Sequence, residues 1–210
     1  MSIYAQLSIS RDGYLAGPDP SLEEPLGRGG MQLHEWVFRL TAWRREHGLE
    51  GGEEGPESAW VEEVASRTGA YVMGRRMFSG GAGAWEDDPM AGGWWGDDPP
   101  FHSPVYVVTH HARESFPLDG GTTFHFVTDG VEAAVAQARE AAGERDVQIA
   151  GGADVVQQVI AVGLLDELTL HTAPVELGGG TRLELPPTLE EIERLDAPLA
   201  EHVRFRVTRR

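Results

Sequence analysis

Apolar and polar positions alternate from the start of the chain. Ile3, Ala5, Leu7 and Ile9 recur with a period of two, which predicts a β-strand with one covered face. Turn residues follow at Asp12-Gly13 and Gly17-Pro18. The period then becomes that of a helix. In MQLHEWVFRLTAWRREHG, Leu33, Trp36, Val37, Leu40 and Trp43 share one face, and Gly48 is a stop. The acidic, glycine-rich loop LEGGEEGPES leads to a second helix, AWVEEVASRTG, with Ser58 near its start and Gly69 just past its end.

AYVMG predicts a buried strand, and RRMF the opening of a short helix. PVYVVTH and TTFHFVT are β-branched and aromatic runs that predict two more strands. Asp129 and Glu132 form a capping box ahead of the helical VEAAVAQAREAAG. DVQIAGG is a strand running into two glycines, ADVVQQVIAVG a helix closed by Gly163, and DELTLHTAPVEL a strand. HVRFRVT predicts a last, half-exposed strand through Val203, Phe205 and Val207. Residues 80–103 have no period. A segment this long reads as a lid, a binding loop or disorder, and Trp85, Trp94 and Trp95 argue against disorder.

Strands alternating with helices imply crossover connections. The fold class is therefore α/β, with a mixed, mostly parallel sheet, helices on both faces and an antiparallel edge from the final strands. No shift in composition marks a boundary, which predicts one domain over residues 1–210.

Composition narrows the function. The chain has no cysteine, which excludes disulfides and thiolate metal sites. It shows no signal peptide and no apolar run of membrane-spanning length, so the expectation is a cytoplasmic protein without a membrane partner. The net charge of −17 opposes nucleic acid as a partner. A P-loop lysine motif, G-x-S-x-G and H-E-x-x-H are all missing, which leaves hydrolase and kinase chemistry without a motif.

In an open parallel sheet, ligands bind beyond the carboxyl ends of the strands. Three such ends carry chemistry. In VMGRRMF, Gly74 allows close backbone approach, and Arg75 and Arg76 open a helix where an anion is favoured. In VVTHHARE, the Thr109 hydroxyl and the neighbouring His110, His111 and Arg113 suit a phosphate or a ribose. The adjacent histidines would point to opposite faces of a strand with no third ligand spaced to join them, so no metal is expected. In IAGGAD, Gly151 and Gly152 make either a tight strand-to-helix turn or a backbone bare enough to touch a pyrophosphate, with Ala153 and Asp154 opening the helix beyond.

The segments SISRDGYLAGPD, YVMGRRMF, VYVVTH and FVTDGVEAAVAQAREAAGERDVQIAGGADVVQQVIAVGLLDELTLHTAPVELGGGTRL follow the order seen in dihydrofolate-reductase-like proteins. The chain resembles in particular the branch that includes the reductase domain of the bacterial riboflavin-biosynthesis deaminase/reductase. The resemblance covers nearly the whole chain, and its specificity lies in the ordered set rather than in any single piece.

The resemblance implies a three-layer α/β/α sandwich, NADPH as cofactor, a homodimer, and reduction of a small pterin- or pyrimidine-like substrate. It implies a cis peptide between Gly151 and Gly152 beside the pyrophosphate, with Gly74, Arg75 and Arg76 on the phosphates. Thr109 and His110 would hold the adenosine 2′-phosphate end, and the Ala5 backbone would meet the nicotinamide carboxamide. Asp12-Gly13 and residues 14–17 would form a mobile loop over the nicotinamide. At the head of the first helix, His34 and Glu35 are candidate catalytic residues and Trp36 a substrate contact. The alternative places Trp36 in the core and the other two on a solvated first turn. His171, mid-strand, is a core or pocket-edge histidine on the substrate side. A nucleotide-binding protein of the same fold without turnover is the competing reading.

Overall fold

The computed structural model describes residues 1–81, 83–186 and 188–208. In chain order the elements are β1 (Ile3–Ile9), β2 (Tyr14–Ala16), α1 (Glu35–Phe38), α2 (Thr41–Glu46), α3 (Pro56–Arg67), β3 (Thr68–Gly74) and α4 (Arg75–Ser79). Then follow β4 (Pro104–Val108), β5 (Phe116–Pro117), β6 (Thr123–Val127), α5 (Val131–Ala142), β7 (Asp146–Gly151), α6 (Ala153–Ala161), β8 (Glu167–Thr172), β9 (Thr181–Arg182), β10 (Leu189–Asp196) and β11 (Glu201–Val207). They group into two compact units, one of residues 1–5 and 68–165, the other of residues 6–67 and 166–210. Each unit is assembled from two separate stretches of chain, so no linear boundary exists for composition to mark.

The first unit is built on parallel strands in the order β1–β7–β3–β4–β6, with β5 added antiparallel at the edge. The amphipathic helix α5 lays Val131, Ala134, Val135, Ala138 and Ala142 against β3, β4 and β7, and α6 packs beside it. On the other face Met73, Val105, Val107 and Phe124 meet Phe78 of α4 in a fully buried cluster. Trp85, Trp95 and Phe101, from the stretch without periodicity, pack onto that cluster. The aperiodic segment is therefore a cover over an apolar sheet face, and its aromatic residues are its anchors.

The second unit pairs β10, β11 and β8 antiparallel, with β1 beside β8, and carries the small β2–β9 ribbon. Its core joins Leu33, Trp36 and Leu40 to Ala173 and Ala200.

Three local expectations change. The helix predicted over residues 31–48 is a 3-10 turn (Gly30–His34) followed by α1 and α2. Leu40 between them is extended, and the Arg39 carbonyl and Thr41 N–H bond to the backbone of Glu53. The acidic loop thus takes over the backbone groups that a continuous helix would have used, while the apolar stripe stays buried. Asp129 does not cap α5. Gly130 takes the N-cap position at φ +89° with no side-chain bond, because the tight entry demands an angle that only glycine adopts freely. The strand β10, LEEIERLD, has almost no buried position, so no alternation announced it. Its backbone pairing with β11 defines it.

Candidate functional site

All three chemistry-bearing strand ends fall on one edge of the first unit. The strands β3, β4 and β7 are parallel neighbours, so Gly74, Thr109 and Gly151 emerge together. The Gly151–Gly152 peptide is cis. The strand end and the next turn lie close together. A Cβ on Gly74 would stand 3.0 Å from Val155 Cγ2 and 3.7 Å from the Gly152 nitrogen. A methyl at 74 would therefore crowd the Val155 side chain.

Gly152 is different. Its φ is −70°, and a Cβ built there would meet nothing within 4 Å. Neither its φ nor its described neighbours call for glycine. Gly152 is the N-cap of α6, with no side-chain cap, and its carbonyl already receives the Val155 and Val156 N–H groups. The Ala153 and Asp154 end of the helix faces the same edge, which gives it the partial positive charge of a helix start.

The two arginines of α4 have different environments. Arg76 is exposed, 3.9 Å from Asp154, and leans over the start of α6. Arg75 turns inward, with only 6% of its side chain exposed, and bonds to Asp88 and Ser79. Its guanidinium lies 3.6 Å from the ring centroid of Trp85, and Arg113 covers the same ring at 4.9 Å. Trp85 Nε1–H donates to the His111 carbonyl at 2.8 Å. Burial pushes the Asp88 carboxyl up, but its bonds from Ser79, Arg75 and the Met90 N–H outweigh that and leave it below the usual carboxylate range. Arg75 is therefore a brace between α4 and the segment 80–103, and Arg76 is the side chain of the pair that is open to an anion.

Thr109 is also structural. It is buried, its N–H bonds to Val127, and its hydroxyl accepts the His111 N–H at 3.1 Å. His110 is the exposed member of that turn. Among the described residues no three His, Asp or Glu side chains converge on a point where a metal could sit. No helix of the described residues is long and apolar enough to cross a membrane.

The remaining candidates, except Ala5 on β1, lie in the second unit. Gly13 has φ +83° in a turn closed by bonds between Ser10 and Tyr14. The Asp12 carboxylate accepts the Leu177 and Gly178 N–H groups at 3.1 and 2.7 Å. A hydrogen bond from Ser10 and these two backbone donors hold its pKa down at about 2. The loop that the resemblance makes mobile is thus tied to the 177–178 turn. His34 ends the 3-10 turn with its Nδ1 buried and unpartnered, and burial pushes its pKa below the ordinary histidine value. Glu35 is exposed. Trp36 is core. It is buried, donates to Ser8 Oγ at 3.1 Å, and packs its ring against His171 and His202 at 4.7 and 4.8 Å.

Sequence reasoning missed Glu57 and His202, which join His171 in a buried polar chain. Glu57 Oε1 lies 3.0 Å from His202 Nε2, and the two histidine Nδ1 atoms are 2.7 Å apart. The β8–β11 register sets His171 directly opposite His202. Only strand pairing brings residues 31 apart in sequence together, so no local signal could have found them.

A sequence profile described as the RibD C-terminal domain matches residues 2–205. Among curated proteins no sequence match is found. Among the solved structures that share the fold are three that cover nearly the whole chain. A protein assigned to riboflavin biosynthesis from Shewanella sp. PV-4 is 18% identical over the full length of both chains, with a TM-score of 0.62. The diaminohydroxyphosphoribosylaminopyrimidine deaminase/5-amino-6-(5-phosphoribosylamino)uracil reductase of Thermotoga maritima is 12% identical over 99% of this chain and 56% of its own, with a TM-score of 0.57. A dihydrofolate reductase from Enterococcus faecalis, complexed with NADP(H) and RAB-propyl, is 13% identical over 98% and 95% of the two chains, with a TM-score of 0.53. At these identities the likeness establishes a dihydrofolate-reductase-like α/β fold with a mixed, mostly parallel sheet.

Proposed function

The chain belongs to the RibD C-terminal domain family, and from that premise we propose that it is an NADPH-dependent reductase of a pyrimidine- or pterin-like heterocycle. The observation that carries the cofactor half is Gly152, a glycine that neither φ nor neighbouring atoms require, at an uncapped helix start on the carboxyl edge of parallel strands. The donor set fits a dinucleotide. The Gly151–Gly152 backbone and the Ala153–Asp154 helix start would face the pyrophosphate, and Arg76 would add a cation. Gly74 keeps the strand end low enough for the approach, and Thr109 holds the turn that presents His110 to the adenosine end. The Ala5 backbone remains the candidate for the carboxamide. The dinucleotide would supply the hydride. His34 and Glu35 are the candidate proton-handling groups.

Two relatives' names support this reading. The T. maritima protein is named in part a 5-amino-6-(5-phosphoribosylamino)uracil reductase, and the E. faecalis dihydrofolate reductase is complexed with NADP(H). The test is titration with NADPH and NADH followed by tryptophan fluorescence. NADPH should bind, and Arg76→Ala should weaken it about tenfold, the size of one charge-assisted contact of about 1.4 kcal/mol. No binding of either dinucleotide overturns the cofactor and the reductase together. Binding without NADPH oxidation across a panel of pteridines and aminopyrimidines favours the reading without turnover.

A further inference from the structure

The second unit buries a row of polar side chains that its apolar packing does not require. Glu57 on α3 meets His202 on β11 at 3.0 Å, His202 meets His171 on β8 at 2.7 Å, and His171 Nε2 meets Gln6 Oε1 on β1 at 3.4 Å. Glu57, His202 and His171 are each less than a tenth exposed. Trp36 and Trp60 pack their rings against both imidazoles and keep water from them. Gln6, at the other end, is half-buried.

The row has a fixed proton count. Each of its three contacts needs one hydrogen, and both end atoms, a carboxylate oxygen and an amide oxygen, only accept. Two neutral imidazoles bring one N–H each. With both oxygens facing inward, the row therefore holds one proton beyond a carboxylate and two neutral imidazoles. When that proton leaves, the contacts are satisfied in a single way. The Gln6 amide turns so that its NH₂ donates to His171 Nε2, His171 Nδ1–H donates to His202 Nδ1, and His202 Nε2–H donates to Glu57.

We propose that Glu57, His202 and His171 form a one-proton store that positions Gln6, so that Gln6 turns its amide N–H groups away from His171 when the store is full and its carbonyl away when it is empty.

The groups facing the row set where it fills. Burial disfavours a charge on His171 and His202, and His34 and Arg204 add positive potential at His171. Arg204 is itself held by Glu63 and Glu193, each at 2.9 Å. Glu57 works in the opposite direction at His202. Filling therefore falls on the acid side of the ordinary histidine value of 6.5.

The test uses the cofactor-free protein, labelled with ¹⁵N, and follows the imidazole and glutamine side-chain nitrogens by NMR from pH 8 downward. His171 should pass from the Nδ1–H form to carrying Nε2–H in the same one-proton step that shifts His202, and the Gln6 amide should shift at that midpoint. Glu57→Gln removes the counter-charge and should move the midpoint down by at least one pH unit. Gln6→Glu, at the half-buried end, should move it up by as much. Separate midpoints for the two histidines, a Gln6 amide indifferent to the step, or a midpoint that ignores Gln6→Glu overturns the store.

Discussion

Arg75 and Arg76 are consecutive in sequence and opposite in use. Arg75 forms a buried ion pair with Asp88, and truncating one partner leaves the other charged and unpaired in a dry site. Arg75→Ala should therefore lose about 3 kcal/mol of stability in urea unfolding. Arg76→Ala should lose almost none and act on NADPH affinity instead. Equal stability losses would show that the inward pair contributes nothing. Gly74 makes a second contrast. A methyl at 74 presses on Val155, so Gly74→Ala should cost about 1 kcal/mol and shift the turn that precedes α6. Gly152→Ala has room for its methyl and should leave stability nearly unchanged while weakening NADPH at least tenfold. A Gly152→Ala protein with full affinity would sink the backbone-contact argument. Sequence alone marked all four of these positions. It could not rank them, because inward and outward side chains at adjacent positions are told apart only by what packs over them.

At the scale of elements, the informative piece is the segment 80–103. Its lack of period came from its job, since a cover with a few aromatic anchors needs no repeating face. Trp85 is the anchor with the most bonds, in contact with the guanidiniums of Arg75 and Arg113 and donating to His111. Trp85→Ala should open the segment to limited proteolysis within residues 80–103 and lower stability by about 2 kcal/mol, less than a fully buried tryptophan because Trp85 is half-buried. Cleavage elsewhere, or resistance equal to the parent, would show the segment is held by Trp95 and Phe101 alone. The broken helix after residue 30 teaches the complementary point. Its apolar stripe was legible and is buried as expected, but hydrogen bonding to Glu53 decided that the backbone would not run straight through.

At the scale of the whole molecule, four half-buried or buried histidines, His34, His125, His171 and His202, have pKa values depressed by burial. The unfolded chain then binds more protons than the folded one below the ordinary value. Their contribution is complete above pH 6.5 and is lost as pH falls toward the depressed values. The unfolding free energy from urea titrations between pH 7.5 and 5 should fall, by up to about 1.4 kcal/mol per pH unit for each proton taken up, before most carboxylates titrate. A flat profile would mean these imidazoles are not buried as neutral groups. Ligand binding acts at the same scale. NADPH at a hundred times its Kd should add about 2.7 kcal/mol to the stability of the folded chain.

The sequence by itself determined the α/β class, the main alternation of strands and helices without the short strands β2, β5 and β9 or the exposed β10, the glycines and cations of the carboxyl edge, and the family. Each of these is a local pattern or an ordered set of them, written in adjacent residues. The tertiary structure decided the rest. It alone gave two units interleaved along the chain, the inward turn of Arg75, the core placement of Trp36, and the row from Glu57 to Gln6. These depend on strand register and on which side chain covers which, and residues more than a hundred positions apart meet only once the chain has folded.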